Sequence, residues 1–324
     1  MYKISLDKII KSNIFMLLFL FLQFIPQVIY YVPSLSKINL LITYLQIFIY
    51  LSALFIIAFS NGNKEDKNET KSIVFFIIIF FIALMFSSII NKESIAHTFY
   101  TLFQLSVLCI YTSKILKTKD KKFIKIAFFL LFCIVLLNFI FMIMFPNGIY
   151  STQYYYNKIY FIGSKNGFFS IIILLAVLTK ICFNEKIIGK KFFIISNILS
   201  IITMLISNSS TGILAFGIFL LINFLKLSKR TFFLLYKYAI ALCLIISIAV
   251  SVFRIQNYAA NLIYKTFGKT TTLTGRTYIW DSAMKMIYKK PILGYGLNLK
   301  NGLIKQGKTY YYSHNLILEI IISG

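Results

Sequence analysis

The sequence predicts an all-α polytopic integral membrane protein, with about nine complete transmembrane helices and the start of a tenth. Hydrophobic residues make up 59% of the chain and the mean hydropathy is +0.82, whereas globular proteins average about 45–50% apolar residues. Charged residues make up 13%, about half the usual share, and they lie in short segments between long apolar runs. A chain of 324 residues cannot bury that much apolar surface in a water-soluble core. Soluble enzymes, disordered proteins and secreted disulfide scaffolds are therefore excluded.

Apolar runs place the helices along the chain. The first five runs are 18 to 22 residues long, the length that a helix rising 1.5 Å per residue needs to cross about 30 Å of hydrocarbon. The next four are 15 or 16 residues long, and we expect neighbouring residues to extend them. In order, the runs are 14–32, 38–59, 73–90, 95–113, 126–145, 168–183, 192–206, 210–225 and 238–253.

The distribution of Lys and Arg predicts the orientation of these helices. The formal net charge is +25, from 34 Lys and Arg against 9 Asp and Glu. The N-terminal tail and every second loop contain 20 of the basic residues, whereas the alternate short loops contain 4. Because short cytoplasmic loops are enriched in Lys and Arg, the N-terminus is expected in the cytoplasm and the loop 254–313 outside. The positive-inside pattern explains the basic charge without a nucleic-acid partner.

The loop 254–313 is far longer than the others and contains one predicted helix. Thr274 is a candidate N-cap and Pro291 a stop, while Arg276, Trp280, Ala283 and Ile287 fall on one helical face. The chain then returns to the membrane at His314. The eleven residues from there to the last position cover only about 16 Å of helix. We therefore expect a single transmembrane domain, 1–324, that is truncated within its tenth span.

Three side chains of the outer face are candidates for chemistry. The imidazole of His314, with an ordinary pKa of about 6.5, suits proton transfer at neutral pH. The guanidinium groups of Arg254 and Arg276 match phosphate oxygens in a bidentate way. The alternatives are an interfacial histidine, an interfacial anchor at Arg254 and a solvated helix charge at Arg276. The chain has two histidines, and its four cysteines lie in apolar runs, so we expect no metal and no cofactor.

Two carboxylates lie near these candidates. Glu319 is inside an apolar run, which makes it a functional candidate. A regular helix would place it about 140° around the axis from His314, so we do not expect it to orient the imidazole unless the first turn is irregular. Asp281 is a second candidate for that role, but an ordinary i,i+4 pair with Lys285 is the favoured interpretation.

The outer loop 146–167 supplies further candidates. Lys165 is a candidate contact for a phosphate. Its tyrosines either stack on sugar rings or form an interfacial aromatic belt, and the belt is favoured; they are Tyr154, Tyr155, Tyr156 and Tyr160.

The region around the predicted loop helix carries a recognisable pattern, "TGRTYIWDSAMKMIYKKPILGYGLNL" followed by "SHNLILEIIISG". It resembles the signature of the O-antigen ligase and Wzy-type polysaccharide polymerase superfamily, which is roughly G-R-x3-W, a helix, P-x-x-G-x-G, and then H-N-x-x-L-E and G. The resemblance covers about 50 residues closely. "GSKNGFF" at 163–169 is similar to the family's short Asn-containing motif. The matching positions are Gly275, Arg276, Trp280, Pro291, Gly294, Gly296, His314, Asn315, Leu318, Glu319 and Gly324.

The resemblance implies glycosyl transfer on the outer face of a bacterial plasma membrane, from a glycan on undecaprenyl diphosphate and without a metal. It implies His314 and Arg276 as catalytic residues, and Trp280 and Asn315 as substrate-binding residues. The family often has an S-x-S-R element, and Ser210 stands here at the position of its arginine. The second phosphate contact is therefore assigned to Arg254 or Lys165.

A polymerase of lipid-linked repeat units is the favoured activity within this superfamily. The Lys-heavy composition fits a Firmicute-like host without a lipid A core, which is the acceptor of a ligase. A flippase and a chain-length regulator are the expected protein partners of a polymerase. The alternatives are an O-antigen ligase, a non-enzymatic flippase or transporter, and a membrane scaffold. Transporters place polar and charged groups at mid-membrane and often show paired repeats, whereas the apolar runs of this sequence are nearly free of charge and show no repeat.

Overall fold

The computed structural model describes residues 12–59, 64–117, 121–152, 155–164, 167–207, 209–224, 229–258, 260–267, 275–297, 304–306 and 309–324. These residues are mainly helical, as expected for an all-α membrane protein. The longer helices are α1 Asn13–Gln23, α3 Ser36–Phe59, α4 Lys64–Ile90, α5 Ile95–Lys117, α6 Lys121–Met144, α7 Phe169–Asn184, α8 Lys190–Ile206, α9 Ser210–Phe224, α10 Lys229–Ser251 and α12 Arg276–Lys289. The short elements are α2 Val28–Tyr31, α11 Ala260–Phe267, α13 Leu316–Ser323, and the strands β1 Tyr150–Thr152, β2 Tyr155–Ile159, β3 Ile304–Gln306 and β4 Thr309–Tyr311.

Three helices within the described residues are long and apolar enough to cross a membrane, namely Lys37–Ile57, Ile95–Ile115 and Lys121–Met144. Shorter apolar helices occupy Asn13–Gln23, Val74–Ile90, Phe169–Asn184 and Ala241–Ser251. A membrane-spanning helical protein is thus supported, while nine complete spans stay a prediction.

The first apolar run is not one helix, contrary to the prediction for 14–32. Helix α1 ends at Gln23, and the chain resumes helical structure only at Val28. Pro26 explains the break, because proline lacks a backbone N–H and disfavours helical backbone in the residue before it. Instead, the N–H of Gln27 donates to the carbonyl of Ile162 over 3.1 Å.

One compact unit comprises Met1–Thr70 with Val107–Lys226. Its core is formed mainly by α6, α7 and α8, with Phe128 and Leu131 fully buried. Several polar groups inside it are hydrogen-bonded. The hydroxyls of Thr179 and Ser196 lie 2.7 Å apart, and the amide oxygen of Asn138 accepts from the N–H of Ile162. The antiparallel pair β1 and β2 belongs to the same unit.

The second compact unit comprises Lys71–Ser106 with Leu227–Gly324. Within it, α12 packs on α13 through a small apolar cluster formed by Ile279, Trp280, Ala283, Ile304, Leu318 and Ile322. The antiparallel hairpin of β3 and β4 precedes α13.

The helix predicted in the long loop is present as α12, with one correction at its start. Its N-cap is Gly275 in left-handed backbone (φ 83°), not Thr274, which lies outside the described residues. Glycine adopts that conformation without the strain that a Cβ causes. The helix ends before Pro291, as predicted. The sequence did not indicate α11 or the hairpin as separate elements.

Candidate functional site

Trp280 joins the loop helix to the segment that carries His314. Its indole is 4% exposed, and Nε1 donates to the carbonyl of Ser313 over 2.8 Å. Leu318 and Ile322 of α13 belong to the same buried cluster. The residue before His314 is thereby held against α12.

The start of α13 is a hydrogen-bonded cap. The side-chain oxygen of Asn315 accepts from the N–H groups of Ile317 and Leu318, over 3.0 and 3.3 Å. The carboxylate of Glu319 accepts from the N–H of Ser313 over 2.6 Å. Asn315 thus satisfies donors that the first turn of a helix leaves without partners, and Glu319 satisfies a donor of the segment before the helix.

The cap means that no single regular helix runs through His314 and Glu319, and the expected relation between these two residues depends on this. Helix α13 begins at Leu316, so His314 precedes it and has left-handed backbone (φ 52°). The angle of about 140° assumed one regular helix through both residues. Because the chain turns at Asn315, the carboxylate of Glu319 lies back towards the segment of His314. There it accepts a hydrogen bond from the N–H of Ser313, and its negative charge acts to raise the pKa of His314.

The electrostatic environment of His314 favours the neutral imidazole. Partial burial lowers the pKa of His314 below 6.5, the positive charge of Arg276 lowers it further, and the carboxylate of Glu319 opposes both. The residue still has an exposed surface. A neutral, accessible imidazole at neutral pH is able to accept a proton.

Arg276 is the first residue of α12 and is half-buried. Its charge reaches His314 strongly enough to affect the pKa of the imidazole. The two residues predicted to be catalytic therefore share one electrostatic environment at the junction of α12 and α13.

Arg254 is partly buried and makes its contacts with residues of α12. It has left-handed backbone (φ 54°), and its side chain is 20% exposed. Nη2 donates to the carbonyl of Thr277 over 2.9 Å and to the carboxylate of Asp281. The guanidinium carbon lies 5.2 Å from the centre of the Trp280 ring, a cation–π distance.

This arrangement corrects the interpretation of Asp281. The carboxylate of Asp281 pairs with Arg254, which is 27 positions away in the sequence. The favoured prediction was Lys285, one turn along the same helix. A local pairing rule cannot identify a partner from another element.

The other predicted substrate contacts have varied positions. Trp280 and Asn315 each make the structural hydrogen bonds described above, and their direct contact with substrate stays a prediction. Lys165 lies outside the described residues. Tyr160 is buried and its hydroxyl donates to the carbonyl of Pro146 over 3.2 Å, which leaves no open ring face for a sugar. Among the described residues, no three His, Cys, Asp or Glu side chains form a metal-type cluster.

A serine near the end of α4 supports the turn 291–296 after α12, called here the glycine turn because it contains Gly294 and Gly296. The hydroxyl of Ser87 donates to the carbonyl of Ser323 over 2.7 Å and accepts from the N–H of Gly296 over 3.0 Å. Gly294 has left-handed backbone (φ 53°), and a Cβ there would lie 2.4 Å from the carbonyl oxygen of Ile322. The turn thus lies directly on the last turn of α13.

Two further polar residues of the third apolar run and its end fix the same turn. The side-chain nitrogen of Asn91 donates to the carbonyl of Gly294 over 3.1 Å, and its oxygen accepts from the ammonium of Lys290. The hydroxyl of Ser88 accepts from the N–H of Leu297 over 3.2 Å. Sequence reasoning missed these residues, although adjacent serines in an apolar run followed by Asn were a usable signal.

Comparisons with known proteins concern the C-terminal part of the chain. Residues 195–324 match the model of a family described as O-antigen ligase. This segment includes Arg254, Arg276 and His314, and the match confirms for it the resemblance that the sequence indicates. A 67-residue segment is 33% identical to a protein of Acinetobacter baylyi named ComP-specific O-oligosaccharyltransferase, and it covers 18% of this chain and 12% of that relative. No solved structure matches the chain.

Proposed function

We propose, from the O-antigen ligase match of residues 195–324, that this protein is a glycosyltransferase that uses a glycan on undecaprenyl diphosphate as its donor. The observation that supports the proposal most directly is the junction of α12 and α13. There, the neutral imidazole of His314 and the guanidinium of Arg276 share one environment.

The two side chains divide the chemistry of the transfer. A hydroxyl of the acceptor attacks the anomeric carbon of the donor sugar, and the bond from that carbon to the diphosphate oxygen breaks. His314 accepts the hydroxyl proton as the new glycosidic bond forms. Arg276 stabilises the negative charge that develops on the departing lipid diphosphate. The lipid diphosphate leaves with the electron pair of the broken bond and gains one negative charge. The proton on His314 is the matching positive charge.

Within this class we propose a polymerase, whose acceptor is the next lipid-linked repeat unit on the outer face of the plasma membrane. In this proposal the N-terminus is cytoplasmic. The protein partners of the polymerase are a flippase and a chain-length regulator. A ligase has the same donor and a different acceptor, and the oligosaccharyltransferase name of the Acinetobacter relative keeps a transfer to another acceptor as the second candidate.

The test compares glycans in a deletion strain complemented with the wild-type gene or with His314→Ala. For a polymerase, the variant should insert normally while single repeat units accumulate on the lipid at the outer face. The matched control is His97→Ala, the other histidine, in α5. Units trapped at the inner face would indicate a flippase. Finished polymer that fails to reach a separate acceptor would indicate a ligase.

A further inference from the structure

A short turn after α10 contains buried polar groups for which the described residues supply no hydrogen-bond partner. Gln256 is 5% exposed, and among the described residues neither its amide nitrogen nor its amide oxygen has a hydrogen-bond partner. Nη1 of Arg254 is also buried and has no hydrogen-bond partner among the described residues, whereas Nη2 donates to the carbonyl of Thr277. Buried polar groups without partners are rare in native proteins, and each requires an explanation.

The two side chains come from one tight turn. Arg254 is the N-cap of the 3-10 helix Ile255–Asn257, and the N–H of Asn257 donates to the carbonyl of Arg254 over 3.0 Å. Residues two apart lie within about 7 Å along the chain. The left-handed backbone of Arg254 belongs to the conformations that cluster at ligand sites, where strain is compensated elsewhere.

The chemistry of the unsatisfied atoms restricts the ligand. A guanidinium nitrogen only donates, and phosphate oxygens accept from it. The amide oxygen of Gln256 requires a donor, which an ionised phosphate cannot supply and a hydroxyl can. The amide nitrogen also finds an acceptor in a hydroxyl oxygen. A ligand that satisfies all three atoms therefore combines an anion with a neighbouring hydroxyl-bearing group.

We propose that Arg254 and Gln256 form a subsite for the sugar diphosphate head of the donor, with Nη1 of Arg254 on a phosphate oxygen and Gln256 on a sugar hydroxyl. This inference rests on the proposed function and adds to it a residue, Gln256, that reads the first sugar. Arg254 connects the subsite to the catalytic junction, because it contacts Thr277, next to Arg276, and the ring of Trp280.

The first test is thermal unfolding of the ligand-free protein. Methionine has nearly the shape of glutamine and no groups that need strong partners. Gln256→Met should therefore unfold at the same temperature as the wild type or a higher one. The matched control is Gln46→Met. Gln46 is equally buried, at 5%, but its amide nitrogen donates to the carbonyl of Leu22 over 2.8 Å, so its loss should lower the unfolding temperature.

The second test is binding of defined lipids to the purified full chain. Gln256→Met, and Gln256→Leu as a second variant, should bind undecaprenyl diphosphate carrying one sugar about tenfold more weakly than the wild type, the effect of losing one or two hydrogen bonds. Both should bind sugar-free undecaprenyl diphosphate as the wild type does. Phosphatidylglycerol, which also combines a phosphate with hydroxyls, should not compete.

Contrary outcomes separate this inference from the proposed function. If the variants lose affinity equally for both undecaprenyl lipids, or for neither, Gln256 does not read the sugar. A lower unfolding temperature of Gln256→Met would show that its amide has a structural partner, and competition by phosphatidylglycerol would assign the subsite to a membrane lipid. If the wild type binds neither undecaprenyl lipid, the proposed function fails and this proposal fails with it.

Discussion

The carboxylate of Glu319 and the backbone N–H of Ser313 are joined by a hydrogen bond of 2.6 Å, which closes the turn that contains His314. The carbonyl of the same serine accepts from Trp280. One residue is thus held from both sides, by α13 through its N–H and by α12 through its carbonyl. The position of the imidazole therefore depends on two residues that need not touch the substrate.

Replacing Glu319 with Gln should move the acid limb of the pH–rate profile to lower pH. The amide oxygen of Gln still accepts from Ser313, but the charge that raises the pKa of His314 is removed. The imidazole then stays deprotonated at lower pH, where it still accepts a proton. The measurement is kcat/KM against pH with a purified lipid-linked donor. The wild-type limb should already lie below pH 6.5.

The control for that profile is Glu185→Gln, in an exposed pair with Lys121. It should leave the limb unchanged. A limb that stays in place or moves to higher pH in Glu319→Gln would remove His314 as the titrating base.

Arg276→Lys should reduce the turnover number by about 10²–10³, the range for losing a preorganised charge-stabilising donor. Lysine keeps the charge but loses the planar fork that binds phosphate oxygens in pairs. Single-turnover rates of the purified protein measure the effect. Arg230→Lys, at the start of α10, is the matched control and should retain full activity. Equal activity of the two variants would indicate that the charge of Arg276 alone is needed.

Trp280→Phe should lower both stability and turnover. The buried carbonyl of Ser313 loses its donor, which costs about 1–3 kcal/mol, while an aromatic ring is kept beside Arg254. Thermal unfolding and kcat are the two measurements. Tyr278→Phe, an exposed position on the same helix, should change neither. A stable Trp280→Phe protein with normal kcat would contradict the positioning of His314 through Ser313.

Gly294→Ala should destabilise the protein, since it adds a Cβ 2.4 Å from the carbonyl oxygen of Ile322 and requires left-handed backbone. The strained backbone alone costs about 1–3 kcal/mol. Gly217→Ala is the control, because the residue is in α9 and an added Cβ would meet no atom within 4 Å apart from the neighbouring backbone of its own helix. The unfolding temperatures of the two variants in detergent give the comparison. Equal temperatures would show that the turn can move away from α13.

The predicted orientation is testable with an impermeant thiol reagent on intact cells, starting from a cysteine-free chain. A cysteine at position 302 should be labelled and one at position 119 should not, because the loop 254–313 is predicted outside and 114–125 inside. The reverse pattern would place the candidate site on the wrong face for a donor that has been carried across the membrane.

The sequence predicted well what depends on local hydrophobicity. The run 126–145 corresponds to the helix Lys121–Met144, and the run 168–183 corresponds to the helix Phe169–Asn184. Neither run contains a proline that would interrupt a helix. The loop helix was also located to within a few residues. The break at Pro26 was missed, although proline is a local signal. Hydropathy is averaged over many residues, so one proline does not interrupt an apolar run.

The parts that were missed depend on contacts between distant segments. The pairing of Arg254 with Asp281 and the support of Gly296 by Ser87 join residues that hydropathy and helical periodicity do not relate. The relation of Glu319 to His314 depended on whether the first turn of the helix was regular, which the sequence left open. Asn315 caps α13 and so ends the helical geometry that the angular argument assumed.

The bond from Ser87 to the carbonyl of Ser323 also has a consequence for the order of assembly during synthesis. The two residues are 236 positions apart, so at about 5–20 residues per second the serine is made roughly 10 to 50 s before its partner. Until then the end of α4 lacks the segment that covers it. The turn at Gly294 and Gly296 and the start of α13 therefore form well after α4, and a delay in synthesis between Ser87 and Ser323 would leave α4 without these contacts for longer.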